Sequence, residues 1–303
     1  MVRAFFSCKI IFHFKIKENP TAMIVGKTCL VTGASSGIGK EIAYGLAELG
    51  ANVILVCRNP DKGQAVLNEI KSHFPSAKMD ILIADLSSQT DIRKLADTIN
   101  NTYPALHVLI NNAGTVSTKK QLSVDGIEMT LATNHLAPFL LSQLLLDLLK
   151  KSAPARIINV SSASHEKAKI NLDDPYRFFK VYAHSKLLLT MTSFELARRL
   201  EGTHVTVNCL CPGPVNTHLG SSNATNFLLK WVDRFIKSFF ISPKKGAITP
   251  LYLASSDEVK NITGCYFVKC KPVKANPLCY DTELTKKIWE MSERYLATRP
   301  DGI

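Results

Sequence analysis

Apolar runs that read as β-strands alternate with helix-like segments along this chain from about residue 25 onward. The runs TCLVTG, ANVILVCR and LHVLINNAG are strand-like, whereas GKEIAYGLAELG and DKGQAVLNEIKSHF have helical spacing. Continuously apolar strands that alternate with helices predict a parallel sheet covered on both faces. No repeat or linker interrupts the pattern. We therefore expect one α/β domain over residues 25–303, a doubly wound parallel sheet in a three-layer sandwich.

Composition limits the class of protein. The chain has 303 residues, of which 46% are hydrophobic, so it can bury a large core. Its net charge of +12 is compatible with nucleic acid, anionic membranes or phosphate-bearing ligands. The basic residues are dispersed and form no recognition motif, so we predict no nucleic-acid partner. The eight cysteines form no CxxC pair and no zinc spacing. We therefore expect reduced thiols, an intracellular location and no metal.

Residues 1–24 form an apolar extension that is interrupted by basic residues. No stretch approaches the roughly 18 to 20 apolar residues that span a bilayer, and no small-residue cleavage site follows. Three interpretations remain open: a disordered extension, a basic-apolar surface anchor, or a mis-assigned start with Met23 as the first residue. The protein is accordingly expected to be cytoplasmic or peripherally membrane-associated.

The segment TGASSGIG, Thr32 to Gly39, follows a strand and opens a helix. Gly33, Gly37 and Gly39 allow a tight turn and a close backbone approach to a pyrophosphate, which the helix N-terminus attracts. This context predicts a Rossmann-type dinucleotide site. About 20 residues onward, where NAD-binding proteins carry an acid, the sequence has Arg58 between Cys57 and Asn59. Arg58 can pair with a 2′-phosphate, so we expect NADP(H).

Tyr182 and Lys186 are four residues apart at the start of a predicted helix, so they share one face. A carbonyl that accepts hydride develops negative charge on oxygen and needs a proton donor within hydrogen-bond reach. A cation about 4 Å from the phenol, at an effective dielectric of about 20, contributes on the order of 4 kcal/mol. We therefore expect Lys186 to lower the pKa of Tyr182.

Five segments in order resemble the short-chain dehydrogenase/reductase superfamily: TGASSGIG, NNAG (Asn111 to Gly114), NVSS (Asn159 to Ser162), YAHSK (Tyr182 to Lys186) and PGPVNT (Pro212 to Thr217). The resemblance covers roughly residues 25 to 270. The segments GIGKEIA, CRNPDKG, TNHLAPFLL, SSASH and GCYFVKCK resemble the retinol dehydrogenase branch. That branch acts mainly on lipophilic alcohols and aldehydes with NADP.

The resemblance implies a role for each matching residue. Tyr182 is implied as the catalytic acid or base, Lys186 as the ribose-binding lysine, Ser162 rather than Ser161 as the catalytic serine, and Asn134 as the proton-relay asparagine. The implied cofactor-binding residues are Gly33, Ser35, Ser36, Gly37, Ile38, Gly39, Arg58, Asp85, Leu86, Asn112, Ala113, Gly114, Tyr182, Lys186, Pro212, Gly213, Val215 and Thr217. Ser36 departs from many NADP-using relatives, which carry a basic residue there, so NADP preference rests mainly on Arg58.

The stretch from about 218 to 245 is predicted as a substrate lid. Apolar residues recur there at helical spacing with basic residues on other faces, which suits a lipophilic substrate or a membrane surface. A lid helix packed on its own domain and a dimer contact remain alternatives. Local structural roles are expected for His135 and His165, and a homo-oligomer is expected by analogy with the family.

The combined hypothesis is an NADP-dependent oxidoreductase that acts on a lipophilic alcohol, aldehyde or ketone, with Tyr182 moving the proton. The alternative hypothesis is a non-catalytic NADP-binding regulator with the same fold. Turnover on a panel of carbonyl compounds distinguishes the two.

Overall fold

The fold is built on one eight-stranded sheet. The computed structural model describes residues 24–117, 121–170, 181–214 and 241–297. The strands in chain order are β1 Thr28–Thr32, β2 Asn52–Cys57, β3 Met79–Ile83, β4 Val108–Asn111, β5 Ala155–Val160, β6 Val205–Cys211, β7 Cys265–Val268 and β8 Lys271–Val273. Their order across the sheet is β3-β2-β1-β4-β5-β6-β7-β8.

The sheet reverses its direction of growth between β1 and β4. The chain runs outward from β1 to β3 and then returns to place β4 on the other side of β1, where Leu30 pairs with both Ile54 and Leu109. This reversal opens a crevice at the carboxyl ends of the strands, where doubly wound folds bind ligands. The predicted doubly wound, Rossmann-type α/β domain is therefore confirmed.

The last strand departs from the parallel arrangement. Strands β1 to β7 pair in parallel, whereas β8 pairs antiparallel to β7. Lys269 and Cys270 turn the chain with φ values of 50° and 61°. The segment GCYFVKCK thus forms an edge hairpin, and the sheet is parallel except at β8.

Helices cover both faces of the sheet. They are α1 Gly37–Glu48, α2 Pro60–His73, α3 Gln89–Thr102, α4 Met129–Leu131, α5 Ala137–Leu144, α6 Leu146–Lys151, α7 Val181–Arg199, α8 Pro243–Gly246, α9 Ile248–Ser255 and α10 Thr282–Ala297. Helices α3, α5, α7 and α10 contribute to one hydrophobic core, and α1, α2 and α9 to the other. Because alternate strand residues point to opposite faces, Leu30 enters the first core and Val31 the second. Ile24, assigned to the extension, is buried in the second core.

The long helix expected through HLAPFLLSQLLLDLLKKS is broken. A π-helical turn, Ala132–Leu136, separates α4 from α5, and α6 follows as a separate segment. Pro138 lies in the first turn of α5. Since proline has no N–H, it cannot donate an α-helical bond to the carbonyl of Asn134. Asn134 therefore lies within a π-helical turn rather than in a regular α-helix.

A buried carboxylate joins α7 to the C-terminal helix α10. Glu195 accepts hydrogen bonds from Arg198 at 2.7 Å and from Arg199 at 2.8 Å. Arg198 also donates to Thr285, and the Arg199 guanidinium stacks 4.2 Å from the Trp289 ring centroid. Burial would raise the pKa of Glu195, but the bonds from Arg199 and Arg198 lower it below the usual 4.5.

We predict that Glu195→Gln lowers the free energy of unfolding by about 1–2 kcal/mol at pH 7, because it removes a charge that two half-exposed arginines share. A carboxylate with a lowered folded-state pKa stabilises the protein above its unfolded pKa. The difference between wild type and variant should therefore shrink as the pH falls below 4.5. Urea unfolding at several pH values measures it.

Glu283→Gln serves as the control. Because the Glu283 side chain is 76% exposed in its ion pair with Lys286, its replacement should change the free energy of unfolding little. A Glu195→Gln deficit that is the same at pH 7 and at pH 3.5 would contradict the assigned charge effect.

Candidate active site

Two of the motifs meet at the crevice between β1 and β4. The Thr32 hydroxyl accepts hydrogen bonds from the backbone N–H groups of Asn112 and Ala113, both at 3.0 Å. The Asn112 side-chain amide donates to the Thr32 carbonyl at 2.9 Å. These bonds fix the glycine loop against the NNAG segment.

The glycines of the loop occupy positions that a side chain cannot share. Gly33 and Gly37 have φ values of 67° and 57°, in the left-handed region that glycine adopts without strain. A Cβ on Gly39 would lie 2.3 Å from the Gly33 carbonyl oxygen and 2.5 Å from Nδ2 of Asn112. The first turn of α1 therefore lies directly against the loop and β4.

The N-terminus of α1 suits an anion. Ser36 is its N-cap residue with an extended backbone, its side chain makes no capping bond, and the first turn has no acidic residue. The first N–H groups of a helix lack intrahelical partners and carry positive potential. Ile38 is buried beneath this turn, and the Ser35 hydroxyl bonds the Cys57 thiol. The residues present thus fit a cofactor pyrophosphate.

Two further predicted cofactor residues follow neighbouring strands. Arg58 follows β2 and is exposed. Asp85 follows β3 and is half-buried, and its carboxylate accepts bonds from the N–H and hydroxyl of Ser87 at 2.9 and 2.8 Å. Leu86 lines a small cavity that Thr32 and Ala113 also line. Because β2 lies beside β1 and β3 lies beside β2 in the parallel part of the sheet, these side chains lie along the same edge of the sheet as the glycine loop.

Ser162 and Tyr182 contact each other on the other side of the crevice. Ser162 follows β5 directly, Tyr182 lies in the first turn of α7, and their hydroxyl groups are hydrogen-bonded. Ser161 is buried instead, where its hydroxyl bonds the Lys186 carbonyl at 3.2 Å and the Thr190 hydroxyl at 2.9 Å. Of the two serines, only Ser162 is thus placed to hold a substrate oxygen beside Tyr182.

Lys186 and Asn134 complete the cluster. The Lys186 ammonium is 4% exposed and donates to the Val160 carbonyl at 2.8 Å. Asn134 is bonded to both backbone groups of Thr115, accepting from its N–H at 2.7 Å and donating to its carbonyl at 2.9 Å. A Cβ on Gly114 would lie 3.5 Å from the Lys186 side-chain nitrogen Nζ and 3.3 Å from the Asn134 side-chain oxygen Oδ1. Gly114 therefore leaves open the space that these two groups share.

Burial is the largest influence on the pKa values of both Lys186 and Tyr182. It lowers the pKa of Lys186 to about 8. It raises the pKa of Tyr182, while the hydrogen bond with Ser162 opposes that rise. The expected lowering of the tyrosine pKa by Lys186 is therefore not seen, because the ammonium bonds Val160 and lies 5.9 Å from the phenol ring centroid. Tyr182 is protonated near neutral pH, which is the form that donates a proton.

The remaining predicted cofactor residues lie after β6. Gly213 has a φ of 91°, and its N–H donates to the Cys211 sulfur at 3.3 Å. Pro212 precedes it and is half-buried. The Ile241 N–H donates to the Pro214 carbonyl at 2.8 Å, so the two ends of the stretch 215–240 lie together. Val215, Thr217 and most of the predicted lid lie outside the described residues, as does the stretch 1–23.

Several structurally important residues were not predicted. Thr32, Thr115 and Ser185 hold the predicted ones; the Ser185 hydroxyl accepts from Asn134 at 3.1 Å and donates to the Tyr182 carbonyl at 2.8 Å. Thr32 and Ser185 occur inside the motifs TGASSGIG and YAHSK, so their position was a usable signal. Thr115 bonds through its backbone, which no side-chain pattern reveals.

Comparison with known proteins agrees with this geometry. The short chain dehydrogenase family matches residues 27–226. The chain belongs to the short-chain dehydrogenase/reductase family. It is thus an oxidoreductase that acts on CH–OH groups, and within the family it resembles the retinol dehydrogenase branch.

Individual relatives are similar over most of their length. Human retinol dehydrogenase 14 is 39% identical over 88% of this chain and 85% of its own. Human retinol dehydrogenase 13 is 38% identical over 93% of this chain and 88% of its own. The Pseudomonas aeruginosa RhlG/NADP active-site complex is 29% identical, with a TM-score of 0.68 over 82% of this chain and 96% of that chain.

Other kinds of site are not seen among the described residues. Their seven cysteines are free thiols, and no group of three or more His, Cys, Asp or Glu residues is arranged to hold a metal ion. Within the same ranges, no helix combines the length and apolar character needed to cross a bilayer.

We predict that Gly39→Ala weakens binding of the nicotinamide cofactor roughly tenfold or more, since the new methyl group displaces the Gly33 carbonyl and Asn112. Quenching of intrinsic fluorescence on cofactor titration measures the dissociation constant.

Gly126→Ala is the control. Gly126 also has a positive φ, of 73°, but a Cβ there meets no atom within 4 Å. It should cost stability and leave cofactor affinity unchanged, so equal weakening by both variants would contradict the steric argument.

Proposed function

We propose that the protein is an NADP(H)-dependent oxidoreductase that interconverts a lipophilic alcohol and its aldehyde or ketone, with Tyr182 as proton donor and acceptor. The observation that carries this proposal is the convergence of Ser162, Tyr182, Lys186 and Asn134 beside a glycine loop that fits a pyrophosphate. The hydroxyl groups of Ser162 and Tyr182 would act on the substrate oxygen, and the crevice beside the glycine loop would hold the cofactor.

The chain's own groups account for the proton and the oxygen. NADPH, held by the glycine loop and Lys186, would supply a hydride to the carbonyl carbon. As negative charge develops on the substrate oxygen, the Ser162 hydroxyl donates a hydrogen bond to it and stabilises it. Tyr182, protonated near neutral pH because burial raises its pKa, gives its proton to the same oxygen. In the alcohol-oxidising direction the phenolate form of Tyr182 accepts the proton from the alcohol oxygen and becomes a phenol again.

Lys186 and Asn134 support this transfer. Burial outweighs any effect of Lys186 on the pKa of Tyr182 in the protein alone. Once Tyr182 has given up its proton, the positive charge of the buried ammonium would offset part of the cost of the phenolate, since it is little screened where water is excluded. The same ammonium is suited to hold the nicotinamide ribose. Asn134, fixed by Thr115 and Ser185, places a polar group next to Lys186. A proton relay from Tyr182 through these groups to solvent is consistent with that arrangement.

The preference for NADP rests on charge at the end of β2. Arg58 is exposed there, and the neighbouring Cys57 and Asn59 offer no carboxylate for a ribose hydroxyl. Asn59 caps α2 by accepting from the Lys62 N–H at 2.9 Å. The side chain at this edge that can meet a 2′-phosphate is thus Arg58. The similar RhlG protein, solved in a complex with NADP, supports the same choice.

The lipophilic substrate is inferred from the relatives and the lid sequence. Several similar proteins are named retinol dehydrogenases. The segment between Pro214 and Ile241 is rich in apolar and aromatic residues, and its ends meet beside Gly213. This composition suits a lipophilic substrate. Peripheral membrane contact and a homo-oligomer stay predictions, and so do the interpretations of the N-terminal extension.

We predict that Tyr182→Phe lowers kcat roughly 10²- to 10⁴-fold, because the phenol is the proton donor. NADPH oxidation, followed by absorbance with a carbonyl panel from retinal to short aldehydes, measures it. Tyr252→Phe is the control, since that hydroxyl bonds Glu258 on a different face. Cofactor binding by the wild type without turnover on any carbonyl would favour the non-catalytic regulator.

We predict that Arg58→Leu lowers kcat/KM with NADPH roughly ten- to a hundredfold, as expected for the loss of a charge-assisted hydrogen bond of about 1.5–3 kcal/mol. Activity with NADH should change little, because NADH has no 2′-phosphate. Arg93→Leu, at an exposed position of α3, controls for loss of surface charge. An equal loss of kcat/KM with NADPH and with NADH would contradict the assignment of Arg58 to the 2′-phosphate.

A further inference from the structure

The segment that carries Ser162 has little regular structure to hold it. Ser162 has an extended backbone and caps a short 3-10 helix, Ala163–Lys167, by accepting from the Ser164 N–H at 3.2 Å. A helix this short leaves most of its carbonyl groups without intrahelical partners. The placement of the Ser162 hydroxyl therefore depends on contacts from elsewhere in the chain.

One such contact is His165. Its side chain is fully buried, and Nδ1 lies 2.7 Å from the Ser162 carbonyl oxygen. The backbone N–H of Asn276 donates to its Nε2 at 3.4 Å. Because Nε2 accepts, the ring proton is on Nδ1 and is donated to Ser162. The ring also packs 4.5 Å from the Tyr266 ring centroid, so its orientation is fixed on both sides.

The second contact is Asn276 itself, which is 5% exposed. The two N–H groups of its side-chain amide are shared among the carbonyl oxygens of His165, Glu166 and Ala168, which lie 2.9, 3.1 and 3.0 Å from the nitrogen. Its side-chain oxygen accepts from the Leu278 N–H at 3.0 Å. A single side chain thus bonds three carbonyl groups at the C-terminal end of the 3-10 helix, from 110 residues further along the chain.

We propose that His165 and Asn276 are positioning residues for Ser162, and that this His165–Asn276 clamp sets the distance between the Ser162 and Tyr182 hydroxyls. The clamp touches neither substrate nor cofactor. It acts through the Ser162 carbonyl and the helix that Ser162 caps. The inference rests on the proposed function, because it assigns Ser162 to the reacting oxygen. Asn276 lies outside the residues 27–226 that the family matches.

The decisive variant is Asn276→Asp. It keeps the size of the side chain and the acceptor for Leu278, but turns an oxygen toward three carbonyl groups. We expect kcat to fall roughly ten- to a hundredfold, since small misplacements of reacting groups have effects of this size. The KM for NADPH and the cofactor dissociation constant should stay within about twofold, because the glycine loop is untouched.

Asn208→Asp is the matched control. Asn208 is also buried, donates to the Ile262 carbonyl at 2.6 Å and accepts from the Cys265 N–H at 3.1 Å, within the sheet. Its replacement should reduce the melting temperature in the same way and leave kcat near wild type. A kcat loss in Asn208→Asp equal to that in Asn276→Asp would show a general effect of stability and would overturn the proposal.

A conservative rescue tests the histidine. An asparagine at position 165 places an amide N–H near the position of Nδ1 and can still donate to Ser162, whereas a leucine cannot. We therefore expect His165→Asn to retain several-fold more kcat than His165→Leu. Equal kcat values in the two variants would overturn the role assigned to Nδ1.

Hydrogen–deuterium exchange tests the clamp without turnover. Exchange in residues 162–170 should be faster in Asn276→Asp than in wild type or Asn208→Asp; unchanged exchange would overturn the clamp. Wild-type protein that turns over no carbonyl would count against the proposed function alone, with the clamp then decided by the exchange result. Wild-type activity with undiminished kcat in Asn276→Asp would count against the clamp alone.

Discussion

The junction between the carboxyl ends of β1 and β4 is the constraint on which the site depends. The strand order reverses there, so the loops after these two strands diverge and leave a crevice. The Thr32 hydroxyl holds the crevice at a fixed width by bonding the backbone of Asn112 and Ala113. Gly39 then packs against the Gly33 carbonyl with no room for a side chain. The N-terminus of α1 and the loop carrying Gly114 are consequently held together by the Thr32 hydroxyl and the Asn112 side chain.

The second constraint is a buried charge. Removing the Lys186 ammonium from water disfavours its protonated form, which is why its pKa falls to about 8. The Val160 carbonyl compensates in part, and Gly114 leaves the other side of the ammonium open. A lysine held in this way is stabilised further by an anion that forms nearby. The structure is thus suited to the phenolate state of Tyr182, although burial in the protein alone raises the tyrosine pKa.

Local patterns in the sequence predicted the parts of the fold that local physics determines. The alternation of apolar strands and helices gave the sheet, and the glycine positions gave the loop, since both depend on residues close together in the chain. The broken helix at Asn134 was missed because apolar residues continue through it; Pro138 was the available signal. The pairing of Lys186 with Val160 was missed because spacing places a side chain on a face but not toward a particular carbonyl. The contacts of His165 with Asn276 join residues 111 apart, which no local pattern encodes.

The C-terminal segment contacts two buried histidines that lie close in sequence to candidate catalytic residues. Besides His165, His135 follows Asn134 directly, and its Nε2 lies 2.8 Å from the Ser292 hydroxyl of α10. Since that hydroxyl donates to the Ile288 carbonyl at 2.8 Å, the histidine nitrogen is the donor. Burial lowers the pKa of His135 to about 3, so the ring stays neutral and the contact does not change near neutral pH. Both sides of the cluster are therefore braced from beyond residue 241, and sequence changes in that region should act on the geometry of catalysis as well as on folding.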